Sequence, residues 1–282
     1  MTKNKTIALS YIIPIVIIVA VFFIPLFKVS FDVNTVLTVV SLIFAILVGF
    51  FIATTTSNYL RLQTLLTSED GYLVSIFAMT RIISPQTVSD MKQKIDYYVT
   101  KTLDFPLNEY VNRTAVEFSD VLKEIDNLNP QNEKGLALIQ PLYENRAELL
   151  RCRQETNLAS QRIVRPQHWS ILILLAVVMV GMVLAMRDGT VIFSVIACFL
   201  SLAIYYIFLL IYKIDTNIFL EEQLAFQNSQ VVFVELGTLK YFPQEIADDV
   251  RIRNLNEDYR IGVYKDASKQ SEREVKVINV RK

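Results

Sequence analysis

The sequence predicts an all-α integral membrane protein: four transmembrane helices in two hairpins, a cytoplasmic helical body, and assembly as a homo-oligomer. Three observations carry this reading. Four apolar runs without a single Asp, Glu, Lys or Arg cover Ile7–Phe27, Thr35–Ala53, Trp169–Met186 and Val191–Tyr212. A charged, glycine-poor stretch, 58–167, separates the two pairs. Basic residues are also unevenly placed. Lys28 and Arg187 are alone in the short links within the pairs, whereas Lys3, Lys5, Arg61, Arg151, Arg153, Arg162, Arg165 and Lys213 flank the other ends. At about 1.5 Å rise per residue each run can cross a hydrocarbon core of about 30 Å. Only helices satisfy their own backbone there.

The first run follows two lysines, as a signal peptide does. It exceeds the roughly 7–15 residues of a signal core and no small-x-small site follows, so it reads as a retained span, kinked or ended by Pro14 and Pro25. The second has no breaker from Ser57 to Leu66, so its helix is expected to leave the bilayer at Asn58–Arg61, continue, and pause at Glu69-Asp70-Gly71. The predicted parts are 1–57, the first hairpin; 58–167, a cytoplasmic helical region; 168–213, the second hairpin; and 214–282, a cytoplasmic segment with a charged tail. The positive-inside rule puts both termini in the cytoplasm of a multi-pass cell (inner) membrane protein. Asn112-Arg113-Thr114 fits a glycosylation acceptor but falls on the cytoplasmic side.

Within the polar region, Ile95, Tyr98, Val99 and Leu103 line one face of a helix over Asp90–Phe105. Leu107, Val111, Phe118, Leu122 and Ile125 do the same further on, and Asn129–Asn132 reads as a turn. A long helix from Pro141 carries Leu142, Tyr143, Leu149, Leu150 and Leu158 and stops at Pro166. In the tail, Arg260–Tyr264 and Val275–Val280 alternate enough for short strands.

Enzyme signatures are missing, and no cofactor or metal is expected. Positive and negative charges balance at 28 each and no basic aromatic stretch occurs, which leaves no basis for nucleic-acid binding. Cys152 and Cys198 stand far apart, one in a polar helix and one in a span. The lone histidine, His168, adjoins Trp169 and reads as an interfacial pair rather than a ligand or pH sensor. Neighbouring acids on a helix point to different sides, so Glu69-Asp70, Glu221-Glu222 and Asp248-Asp249 read as solvated surface. No span holds an ion pair and no internal repeat suggests a carrier.

The second run does carry a row at four-residue spacing: Leu42, Ile46 and Phe50, with Gly49 beside it. In a monomer this row faces lipid or another helix. In a ring of subunits it makes an apolar constriction that gates by dewetting. Thr54, Thr55, Thr56 and Ser57 follow; Thr54 and Ser57 are the candidates for a hydroxyl-lined mouth.

These residues resemble those of the bestrophins and bacterial bestrophin-like membrane proteins. Ile43-Phe44-Ala45-Ile46-Leu47-Val48-Gly49-Phe50-Phe51-Ile52 is similar to the bestrophin neck helix. Arg151-Cys152-Arg153 through Arg165-Pro166-Gln167-His168-Trp169 resembles the basic helix leading into the third span, and Lys213 to Phe219 the motif after the fourth. The resemblance implies a pentameric anion channel among membrane lipids, with Leu42, Ile46 and Phe50 as its neck and inorganic anions as permeant partners. No ring of Arg or Lys in the span argues for anions independently. The family's acidic calcium run is reduced here: Asn217-Ile218-Phe219 lacks the proline, and Glu221-Glu222 is followed by Gln223-Leu224-Ala225. Two carboxylates fall short of the six to eight oxygens calcium takes. The competing reading is a non-conducting membrane scaffold or sensor whose helical body recruits a cytoplasmic partner under regulation by the charged Arg251–Lys282 tail.

Overall fold

Between Pro25 and Pro85 the chain holds no proline, and a single helix, α1 (Val33–Ile83, 51 residues), occupies most of that interval. The computed structural model describes residues 12, 14–16, 18–19, 21–23, 32–186, 190–223, 226–227, 229–247, 249–264 and 273–280. Asp32 caps α1: its Oδ1 accepts the N–H of Asn34 at 3.1 Å and of Thr35 at 3.4 Å. The pause expected at Glu69-Asp70-Gly71 does not occur. A mid-helix glycine costs about 1 kcal/mol, and burial of Leu66, Leu73 and Ile76 around it outweighs that. Termination comes at Ile83, because Pro85 keeps Ser84 out of the helical region (φ −143°, ψ 79°).

The four-span expectation is corrected. Among the described residues three helices are long and apolar enough to cross a membrane: α1, α7 (Pro166–Ala185) and α8 (Val191–Asp215). Of the expected first span, the described residues give a shorter apolar helix, Pro14–Phe23, which opens on Pro14. Apart from Ile12, the rest of the 7–27 run lies outside the described residues.

The chain divides into two compact units. The first comprises residues 1–57 and 162–216. Its core is apolar: Phe44, Val48 and Phe51 from α1 meet Leu172, Ala176 and Met179 of α7 and Ile204 and Ile211 of α8. Ser194, Ala197 and Ser201 put a buried row of small side chains on α8, which allows close helix approach where water provides no driving force. The two serine hydroxyls donate to carbonyls of their own turn, Thr190 and Ala197. Asp215, at the end of α8, is buried and its Oδ1 accepts the N–H groups of Ile163 (2.8 Å) and Val164 (3.1 Å), tying the entry of α7 to the exit of α8.

The second unit comprises 58–161 and 217–282. After α1 come α2 (Val88–Thr102), α3 (Tyr110–Arg113), α4 (Ala115–Asp126), α5 (Glu133–Ala137) and α6 (Ile139–Ala159). Met91, Ile95, Tyr98 and Val99 of α2 bury against Phe118, Val121 and Ile125 of α4 and Leu142 and Leu149 of α6. The helix expected to start at Leu107 is broken at Thr114, whose buried hydroxyl donates to the Tyr110 carbonyl at 2.7 Å. Tyr143 and Leu158 of the expected stripe are exposed.

After α9 (Ile218–Gln223) and α10 (Ser229–Leu236) the helices give way to short strands. A three-stranded sheet, order β1-β2-β3, joins β1 (Lys240–Pro243), β2 (Tyr259–Tyr264) and β3 (Arg273–Ile278), with α11 (Val250–Arg253) between β1 and β2. β1 runs parallel to β2 from Lys240↔Tyr259 to Pro243↔Gly262, and β3 is antiparallel, from Tyr259↔Ile278 to Tyr264↔Arg273. β2 and β3 match the alternating segments. β1 was hidden by its proline, which a strand tolerates at an end. Gly262 is required, because a Cβ there would sit 1.8 Å from Tyr241 Oη. Arg260 makes a bidentate pair with Asp96 at 2.6 and 2.7 Å, and Arg273 pairs with buried Asp104 at 3.2 Å, fixing the sheet to α2 and the loop after it.

Candidate functional site

α1 presents two unlike faces within the first unit. On one, Phe44 and Phe51 are 5% and 6% exposed in the apolar core. On the other, Leu42, Ile46 and Phe50 are 61%, 62% and 60% exposed. Each four-residue step on an α-helix turns the row by about 40°, so it drifts. The middle of the uncovered face therefore runs Leu42, Ile46, Gly49, Ala53 and Ser57, all exposed, with Phe50 toward its edge. A Cβ added at Gly49 would meet nothing within 4 Å. Ser57 lies on this face, whereas Thr54 is turned to its margin and half-buried. The Thr54 hydroxyl donates to the Phe50 carbonyl at 2.8 Å, and that of buried Thr55 to Phe51 at 2.7 Å. Both protons are used by the helix itself, so these threonines offer lone pairs rather than donors.

The uncovered faces of α7 and α8 differ in kind. Ile171, Leu174 and Val177 on one and Ile192, Ile196 and Phe199 on the other are large and apolar. The face of α1 instead turns polar along the same helix through Ser57, Arg61, Thr64 and Thr67, all exposed. His168 packs its ring on Phe51 (centroids 5.1 Å apart), and its Nδ1 accepts the Arg165 N–H at 3.2 Å, capping α7. Trp169 packs edge-on to Phe208.

Of the three acid pairs expected at the surface, Glu69-Asp70 is not solvated surface. Glu69 is buried; one oxygen accepts from the Tyr98 hydroxyl and the other from Tyr110 at 2.8 Å. Arg153, counted above as a flanking positive charge, is buried too. It stands 4.0 Å from Glu69, donates to the Tyr98 hydroxyl, the Val111 carbonyl and Thr114, and lies 4.3 Å from the Phe118 ring centre. Burial pushes both tyrosine hydroxyls well up, and the Glu69 charge adds to it, so they remain donors. The available signal was that Tyr98 and Tyr110 occupy core positions and bring hydroxyls that need buried partners. Glu221 serves structure as well: its Oε1 accepts the Leu107 N–H at 3.0 Å. Among the described residues no group of three or more His, Cys, Asp or Glu side chains is arranged to hold a metal ion.

No curated protein sequence matches the chain. The family profile of the Bestrophin-like domain matches residues 29–217, more than half of the chain. The fold is similar to a crystal structure of a bacterial bestrophin homolog from Klebsiella pneumoniae (TM-score 0.57, 13% identity, 82% of this chain and 97% of that one covered). Two single-substitution variants of that homolog match alike, with TM-scores of 0.56 and 0.55 at 12% identity, over 82% and 81% of this chain and 97% of each. Three apolar spans among the described residues, a profile that matches more than half of the chain, and this likeness of fold agree: the chain is a multi-pass membrane protein belonging to the bestrophin-like family.

Proposed function

We propose that copies of this chain assemble, as a pentamer, into an ion channel of the cell (inner) membrane. In it the α1 helices surround a common axis, and Leu42, Ile46 and Phe50 form an apolar neck. Ser57 and, at the margin, Thr54 form the cytoplasmic mouth, and the faces of α7 and α8 meet lipid. The observation that supports this most is the row itself: an apolar face left uncovered by its own chain, followed by hydroxyls on the same helix. An apolar neck controls conduction by wetting and dewetting. It favours weakly hydrated anions, which shed water at lower cost, so small inorganic anions are the proposed cargo. Residues 58–161 and the C-terminal segment are assigned to the cytoplasm by the basic residues at the span ends. The proposed activity is conduction, with no catalytic step.

The test is anion efflux from proteoliposomes. Ile46→Ala and Phe50→Ala should each change flux several-fold while the protein remains folded and oligomeric. Absence of flux from well-folded wild type, or indifference to both substitutions, sinks the channel reading. One feature favours the scaffold alternative. β3 is an edge strand with Val275 and Val277 exposed, a surface that can add a strand from a partner. A cytoplasmic protein captured only when the Arg251–Lys282 segment is intact, from a chain that passes no ions, would select that reading.

A further inference from the structure

Among the described residues, Asp70 is the acid with a buried carboxylate oxygen that meets no hydrogen-bond donor. A cavity of about 30 Å³ lies beside it, and its polar lining is Glu69, Asp70, Thr102, Tyr110 and Ser229. Asp70 lines this cavity, and its Oδ2 is buried with no donor in reach. The neighbouring charges are already matched. Glu69 is balanced by Arg153 and holds two tyrosine hydroxyls, and Asp104, in the adjoining loop, is paired with Arg273. Glu221 of α9 accepts from the Leu107 backbone at the cavity wall. An ionised Asp70 thus leaves one negative charge uncompensated in a space with room for one water-sized occupant.

We propose that this cavity binds a single small monovalent cation of sodium's kind, with the Asp70 carboxylate as its charged ligand. Neutral oxygens at Thr102 and Ser229 complete the environment. The Thr102 hydroxyl donates its proton to the Val99 carbonyl at 2.8 Å, which leaves it an acceptor toward an ion. Thr102 is also the last residue of α2, whose C-terminal carbonyls carry the negative end of the helix dipole. A divalent ion fits poorly, because it demands more charge and more oxygens than one free carboxylate and two hydroxyls supply. Bound there, the cation links α1, the end of α2 and the start of α10. This site is independent of whether the chain conducts.

Burial pushes the Asp70 carboxyl well above the usual range, and the Glu69 charge pushes it the same way, so both favour a proton on the group when no cation is bound. Cation and proton then compete. The experiment is thermal unfolding of the full chain in detergent at fixed ionic strength, with sodium chloride exchanged for choline chloride at pH 6 and pH 8.5. Sodium should raise the unfolding temperature by a few degrees over choline. With one proton displaced per ion, its apparent affinity should climb about tenfold per pH unit while Asp70 is protonated. Asp70→Asn should abolish the sodium effect, and Ser229→Ala should weaken it several-fold in a chain that keeps Asp70. Proton release on adding sodium to weakly buffered wild type gives the same answer without a variant. Equal unfolding temperatures in sodium and choline at both pH values, with no proton released, would overturn the site in favour of a protonated carboxyl alone. A response to calcium but not sodium would overturn the monovalent assignment.

Discussion

The two halves of α1 solve the same packing problem with different chemistry. In the first half the buried face, Phe44, Val48 and Phe51, is apolar until Thr55, and the opposite face is apolar from Leu42 to Ala53. From Asn58 to Ile83 the buried face mixes Leu62, Leu66, Leu73 and Ile76 with Glu69 and Thr80, and the exposed face carries Arg61, Thr64 and Thr67. In hydrocarbon, an outward leucine costs nothing, so fit alone distinguishes inside from outside. Where water is present, burial drives the helix inward, and the polar groups buried with it must find partners. A helix continuous in backbone is therefore discontinuous in what holds it.

The contrast is broken most strongly at Arg153. Arg153→Ala leaves Glu69 buried without a counter-charge and should destabilise the second unit by about 3–5 kcal/mol. Thermal unfolding in detergent should show it, and a double variant with Glu69→Gln should recover part of the loss. A loss below about 1 kcal/mol would mean that water compensates Glu69 and the cluster is not a dry core. In the first half, Phe44→Ala should cost less, about 2 kcal/mol, since only the cavity and lost contacts count where no transfer from water is involved. Comparing the two variants by unfolding in the same detergent sharpens the distinction, and it disappears if Phe44→Ala is the more damaging. The smallest effect belongs to Ile46→Ala: on an uncovered face it should change stability of the monomer by under about 0.5 kcal/mol. Its influence should emerge only in flux or in oligomer stability. A large loss in monomer stability would mean that this face is packed against the chain itself.

The sequence made some of this legible and concealed the rest for physical reasons. Charge-free runs announce spans directly, and α7 and α8 follow them closely. The stripes of α2 and α4 were readable because Ile95, Tyr98, Phe118 and Ile125 recur at helical spacing beside water. Gly71 after two acids suggested a break, yet a glycine and two charges stop a helix only when tertiary burial does not hold it, and here Leu73 and Ile76 do. The acid pair itself was unreadable. Whether Glu69 meets solvent or Arg153 depends on a contact across 84 positions of sequence, which local pattern does not encode. On the candidate site, the four-residue spacing placed Leu42, Ile46 and Phe50 on one helical side. The drift follows from the same spacing, but only the burial of Phe44, Phe51 and Thr55 shows which side is covered, and so that Gly49, Ala53 and Ser57 share the centre of the open face and Thr54 leaves it.

Cys152 has a consequence beyond its place in the core. Its thiol is buried and donates to the Leu65 carbonyl at 2.8 Å, and burial, aided by the Glu69 charge, pushes its pKa up to about 12. Only a thiolate attacks an alkylating reagent, so the folded unit keeps this sulfur silent at neutral pH, and each opening that separates α6 from α1 exposes it. The residue is in effect a clock built into the chain, whose ticks count how often the ionic core comes apart.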